Sequence, residues 1–252
     1  MTGEFAAASV VVTGAGSGLG CATALAFAAR GACVVVADRD ALGGEKTARA
    51  IVDAGGVGVF VATDVAREAD VERAIERALA LAGRLDVFVN NAGVLGDWVP
   101  IAEHSATTID RVLDVNVKGV VLGMKHALRV MARQGSGVIV NVASVQGFRV
   151  VFPGSALYAA SKAAVVSLTK SAALEYGAAG VRVVGVAPGP IDTPMLRSAT
   201  GGEWPPPIVA NVPLGRVGAP DDVARAIVWL ASKEAAYITG AVVPVDGGFL
   251  AP

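Results

Sequence analysis

The sequence predicts an α/β fold, a doubly wound parallel sheet with helices on both faces. Two observations predict it. Short apolar, β-branched runs recur along the whole chain, with helical stretches between them. These runs also lack the polar alternation of strands with one wet face, as expected when helices cover both sides.

The elements follow in order. "SVVVTG" (9–14) is a strand ending in glycine, and "GLGCATALAFAARG" (18–31) a helix stopped by Gly31. "CVVVAD" (33–38) is the second strand, and 42–56 contains a helix closed by paired glycines. "GVFVATD" (58–64) is the third strand and 67–83 a helix of mixed charged and apolar character. "LDVFVNNAG" (85–93) is a fourth strand running into a turn, and a long helix is expected over about 106–132. Strands at 136–144 and 181–189 bracket a helix near 156–177, and a helix near 221–231 precedes a last strand in 240–248. Only 192–219 breaks the rhythm. It is rich in Pro and Gly and long for a connector, so it reads as an irregular substrate lid. With no linker, repeat or low-complexity tract in view, 1–252 reads as one catalytic domain.

Composition narrows the function classes. The chain has 252 residues, 54% hydrophobic and 17% charged, with a formal net charge of −1. No basic surplus is available to neutralise phosphates, which argues against a nucleic-acid partner. No run reaches the length of a membrane span and the start lacks a secretory pattern, so a cytoplasmic protein is expected. Cys21 and Cys33 are too few and too isolated for a disulfide scaffold or a metal cluster. His104 and His126 stand apart, so no metal is expected.

"TGAGSGLG" (13–20) joins the first strand to the first helix. Gly14, Gly18 and Gly20 allow a tight turn and close approach of a ligand, and the N–H groups at the helix start suit a pyrophosphate. Asp38 ends the second strand, where an acidic residue can accept hydrogen bonds from an adenosine ribose. The same carboxylate would repel a 2′-phosphate, which favours NAD(H) over the phosphorylated cofactor, although Arg39 beside it could offset that charge. Asp64 suits either an adenine edge or the cap of the following helix. In "NNAG" (90–93), Asn can tie down a turn and Gly can clear space for a cofactor.

Tyr158 and Lys162, in "YAASK", are four positions apart and share a helix face. A phenol titrates near 10 and is a poor base at neutral pH, but a cation a few ångströms away can bring it toward working pH.

Together these stretches resemble the short-chain dehydrogenase/reductase family in its compact form of about 250 residues, Rossmann-like in fold. The resemblance runs through "TGAGSGLG", "NNAG", Asn116, Ser144, "YAASK", "PGPIDT" (188–193) and "DGG" (246–248), and covers nearly the whole chain. It implies that Ser144 holds the substrate oxygen, Tyr158 is the general acid/base, and Lys162 binds the nicotinamide ribose and lowers the tyrosine pKa. It implies that Asn116 sits at a kink in the long helix and holds a water in a proton relay to Lys162. Ser17, Gly18, Leu19, Asp38 and Arg39 would then belong to the cofactor site, with Asp64 and Val65 at the adenine. Asn90, Ala92 and Gly93 would line the same site, and Pro188, Gly189, Ile191 and Thr193 would border the nicotinamide. The resemblance also implies a homotetramer, one interface using the long helices and the other the last helix and "GAVVPVDGGFLAP" (240–252). Two departures stand out. Ser144 and Tyr158 are fourteen positions apart, one more than in most members, and Leu19 replaces a commoner isoleucine.

Substrate contacts are expected from Trp98, Gln146, Phe148, Phe152, Met195, Leu196 and Trp204, mostly apolar side chains that suit a hydrophobic secondary alcohol or ketone. Arg149 and Arg197 could meet an acidic substrate, but no conspicuous cationic pair marks the lid. The competing reading is a 3-oxoacyl-thioester reductase using NADPH, a branch that "NVPLGRVGAP" (211–220) also resembles. A cofactor-binding regulator without catalysis would be expected to have a broken catalytic set, and this one is intact.

Overall fold

The computed structural model describes residues 3–150, 152–202 and 209–251. Its seven strands are β1 (Ser9–Thr13), β2 (Cys33–Asp38), β3 (Val57–Ala62), β4 (Val87–Asn90), β5 (Gly137–Val142), β6 (Val181–Pro188) and β7 (Val242–Val245). They form one sheet in the order β3-β2-β1-β4-β5-β6-β7, and every pair is parallel. The order reverses between β1 and β4, where a doubly wound sheet opens a crevice at its carboxyl edge.

Consecutive strand residues point to opposite faces, yet both faces are dry. Val11, Phe88, Ile139 and Val183 pack one way, against α3 (Glu68–Ala82), α5 (Gly119–Gln134) and α6 (Ala156–Tyr176). Val10, Val12, Val89, Val140 and Val184 pack the other way, against α1 (Gly18–Ala28), α2 (Ala41–Asp53) and α8 (Pro220–Ala231). This double burial is why the strands read as uniform apolar runs.

One expectation holds in refined form and one is corrected. The long helix over 106–132 is broken at Asn116, where the family resemblance implies a kink. It divides into α4 (Ala106–Leu113), a π-helical turn Asp114–Lys118, and α5. A wider turn inserts an extra residue per hydrogen-bonded ring and re-aims the side chains it carries, here Asn116. The lid region is not wholly irregular, because α7 (Pro194–Thr200) lies within it. Thr193 caps α7 by accepting from Leu196 N, and Pro194 takes the first helical position, where a missing N–H costs nothing. The base of the excursion is pinned: Asp192 N donates to Gly218 O at 2.8 Å, and Gly218 N to Pro190 O at 2.9 Å. Among the described residues, no helix is long and apolar enough to cross a membrane.

Candidate active site

The crevice at the β1–β4 reversal is where the marked residues meet. Gly14 leaves β1 with φ +65°, a left-handed conformation that favours glycine. A Cβ there would stand 2.8 Å from the Ala92 Cα, so the turn after β1 lies hard against the turn after β4. Thr13 and Asn91 lock these turns together. Asn91 Nδ2 donates to Thr13 O at 2.8 Å and Gly14 O at 3.1 Å, while Asn91 N and Ala92 N both donate to Thr13 Oγ1. Asn91, the second Asn of "NNAG", ties down the turn as that motif suggests, whereas Thr13 carries no role in the sequence analysis.

At the start of α1, Ser17 makes no side-chain cap bond, and the first turn carries no acidic residue. First-turn N–H groups left without partners form a ready anion site. Gly16 N donates to Asp38 Oδ2 at 2.7 Å, which holds the carboxylate across the mouth of this turn. A Cβ on Gly16 would sit 2.9 Å from that oxygen, so the approach needs glycine. Gly14, Ser17, Gly18, Leu19, Asp38, Arg39, Asp64, Val65, Ala92 and Gly93 all line the cleft, as do Pro188, Gly189, Ile191 and Thr193 on the opposite rim. This donor set fits a dinucleotide, with the uncapped helix start for its pyrophosphate and Asp38 for a ribose. Asp64 also closes its own turn, accepting from Ala66 N at 3.0 Å.

Asn90 departs from expectation. It is buried and does not line the cleft. Its Nδ2 donates to Asn141 Oδ1 at 2.8 Å, and Asn141 Nδ2 donates to Thr169 Oγ1 on α6 at 3.0 Å. As the last residue of β4 it points into the sheet–helix layer, whereas the following turn faces the cleft.

The chemistry-bearing side chains come from β5 and α6. Ser144 follows β5, and its Oγ accepts from Gln146 N at 3.2 Å. The one-turn offset expected for Tyr158 and Lys162 holds. Both line the cleft, with Lys162 Nζ 5.8 Å from the phenol ring centroid. Lys162 Nζ donates to Val142 O at 2.8 Å and is only 3% exposed. Burial holds this ammonium down to about 8. Burial also pushes the Tyr158 phenol up to about 12, against the opposing hydrogen bond with Ser144. Desolvation of the phenolate thus outweighs the Ser144 hydrogen bond. The Lys162 ammonium keeps its charge while bonded to Val142 O, within reach of the phenol ring.

Asn116 is fully buried in the π-turn. Its Oδ1 accepts from Val94 N at 2.8 Å, and its Nδ2 donates to Val94 O at 2.9 Å and Ser161 Oγ at 3.0 Å. The side chain is thus a clamp between the turn after β4 and α6, and it does not itself line the cleft.

On the substrate side, Trp98, Phe152 and Phe249 form an aromatic row, with centroids 5.6 Å and then 6.5 Å apart. In sequence Phe249 reads only as part of an expected subunit interface. Its place in the cleft was signalled by "DGG", because Asp246 accepts from Gly248 N and Leu250 N and folds the tail back after β7. Gln146 lines the cleft, and its Oε1 is buried with no hydrogen-bond partner among the described residues. Met195 and Leu196 bring α7 to the rim, while Phe148 stays outside. Trp204 lies outside the described residues. The extra residue between Ser144 and Tyr158 falls in a segment containing a 3-10 turn, Val145–Gly147, and a left-handed Gly154. Arg197 forms two 2.6 Å bonds with Asp192. His126, on α5, hydrogen-bonds Glu68.

Comparison with known proteins shows similarity to dehydrogenases and reductases. A family model described as enoyl-(acyl carrier protein) reductase matches residues 14–250. A cis-4-hydroxycyclohexanecarboxylate dehydrogenase from Sinomonas cyclohexanicum is 45% identical over 98% of this chain and 98% of its own. A levodione reductase from Leifsonia aquatica is 38% identical over 98% of this chain and 96% of its own. A solved 3-ketoacyl-(acyl-carrier-protein) reductase from Brucella melitensis, complexed with NADH, is 38% identical with a TM-score of 0.90, covering 97% and 99%.

Proposed function

The chain belongs to the short-chain dehydrogenase/reductase family, and from that premise we propose that it interconverts a hydrophobic secondary alcohol and its ketone with NAD(H). The observation that carries this reading is the convergence of Ser144, Tyr158 and Lys162 on the cleft that also holds the glycine turn and Asp38. A cyclic alcohol agrees with the substrate named for the Sinomonas relative.

In this reading Ser144 and Tyr158 receive the substrate oxygen. Trp98, Phe152 and Met195 exclude water from the carbon skeleton, and the unpaired Gln146 Oε1 accepts from a second donor on the substrate. During oxidation Tyr158 takes the hydroxyl proton; during reduction it gives one to the developing alkoxide. When bound, the nicotinamide accepts or returns the hydride and, when oxidised, adds a positive charge to the cleft. Burial holds the phenol near 12, and the nearby Lys162 ammonium favours its phenolate form. Lys162 also offers its ammonium to the ribose, and Asn116 keeps α6 in register with the β4 turn. Asp38 directs the preference toward the unphosphorylated cofactor. The NADPH-dependent acyl-thioester reading is supported by the description of the matching family model, the name of the Brucella structure and the stretch 211–220; against it stand Asp38 and the NADH bound in that Brucella protein.

We further place the whole chain as one catalytic domain, with 192–219 as its lid, in a cytoplasmic homotetramer. Leu113 and Val121 on the divided long helix are exposed, as are Trp229 and Tyr237 near the last helix and strand, and these suit the two subunit faces.

Tyr158→Phe tests the catalytic reading. Alcohol oxidation should fall about 10²- to 10⁴-fold while NADH binding, followed by fluorescence, persists. Wild-type turnover in that variant would end the assignment.

A further inference from the structure

A second cavity opens beside the cleft, and its one charged lining residue among those described is Arg111. The two spaces share Gly93, Val94, Leu95, Trp98 and Met195 as a common wall. Gly93 ties that wall to the chemistry, because a Cβ there would stand 3.4 Å from Lys162 Nζ. We propose that Arg111 binds an acidic group, a carboxylate or sulfonate, carried by the substrate at a distance from its carbinol. The proposal rests on the alcohol–ketone reading above and narrows its substrate class to cyclic hydroxy acids and their oxo counterparts.

The placement of Arg111 supports this. Gly96 has φ +77°, and a Cβ there would be 2.8 Å from Val112 Cγ2, so the loop after β4 packs directly on α4 beside Arg111. Asp97 lies 3.7 Å from Arg111 Nη2, close enough to attract but too far to hydrogen-bond. Its other oxygen already accepts from Thr108 Oγ1 at 2.6 Å. The guanidinium is therefore oriented, and it makes no hydrogen bond among the described residues. The other arginines near the lid are committed: Arg197 to Asp192 through two bonds, and Arg149 is also engaged. A planar fork with its donors unspent is suited to a two-oxygen anion, which it can hold bidentately. No carboxylate lines the cavity wall among the described residues, and a ligand anion at Arg111 would compete only with the long 3.7 Å pairing to Asp97. Ser198 Oγ, which donates to Met195 O at 2.9 Å, remains able to accept from a protonated group on the far wall.

The test compares 4-hydroxycyclohexanecarboxylate with its neutral carboxamide, which has nearly the same shape. The wild type should favour the carboxylate in kcat/KM by roughly 10- to 100-fold, chiefly through KM. Arg111→Gln should bring that ratio to about one, and Arg111→Lys should restore part of it. The wild-type preference should also shrink as salt is raised, since Arg111 is half exposed. A ratio unchanged by Arg111→Gln would overturn the proposal, as would a wild type that does not distinguish the two compounds. If neither compound is turned over, the alcohol–ketone reading fails for this class. Calorimetric binding of the carboxylate to wild type and to Arg111→Gln then still decides the anion site: loss of binding in the variant supports it, and equal binding removes it.

Discussion

Replacing Asn116 with leucine isolates the clamp in the π-turn. Leucine has the same branching shape, though bulkier, and can make none of the three hydrogen bonds that Asn116 forms with Val94 N, Val94 O and Ser161 Oγ. At roughly 1 kcal/mol per bond, plus the cost of leaving Val94 amide groups unpaired, the loss is partly offset by about 2 kcal/mol from the added apolar burial. The net expectation is a destabilisation of about 2–4 kcal/mol. In urea unfolding, with a slope near 2 kcal/mol per molar, the midpoint should fall by about 1–2 M. The same change frees the β4 turn that carries Gly93 into the cleft, so kcat should fall even where the variant is fully folded. A midpoint within about 0.3 M of wild type, with kcat retained, would refute the clamp.

Two other outcomes follow from the site. The folded pKa of Lys162 is held to about 8, below the ordinary 10.5, so from pH 8 to about 10 the unfolded chain binds the extra proton. Stability should therefore rise with pH across that window, by at most roughly 3 kcal/mol, and Lys162→Met should flatten the rise; a rise of the same size in the variant would dismiss the assignment. Above pH 10 the raised phenol of Tyr158 acts in the opposite sense, so stability measured by thermal melts should turn downward there. Asp38→Ser should shift the NADPH-to-NADH ratio of kcat/KM upward by about tenfold to a hundredfold by removing the charge facing a 2′-phosphate. No change in that ratio would mean Asp38 does not set the cofactor preference.

What was legible in the sequence was whatever repeats or depends on local spacing. The strands were legible because both faces of the sheet are dry, and the Tyr158–Lys162 pair because four helical positions return to one face. The break in the long helix was legible only through the family resemblance that puts a kink at Asn116, since a π-turn leaves the amphipathic pattern of 106–132 nearly intact. The helix α7 was obscured by surrounding Pro and Gly, although Thr193–Pro194 is a capping signal. The direction of the Tyr158 shift depends on burial, which no local spacing records. Arg111 reads in sequence as an ordinary surface cation, and only the cavity beneath the β4 loop distinguishes it from its neighbours.

The amide chain from Asn90 through Asn141 to Thr169 crosses from β4 to α6 inside the molecule. β4 leads into the turn behind the cofactor cleft, and α6 bears the phenol. Greasy contacts tolerate sliding, because one methyl fits nearly as well as the next, whereas a buried carboxamide displaced by a single position strands both its donor and its acceptor. The distance between the two reaction partners is thus gauged by polar pegs set beneath the floor of the active site, and loops and lid above can diverge without resetting it.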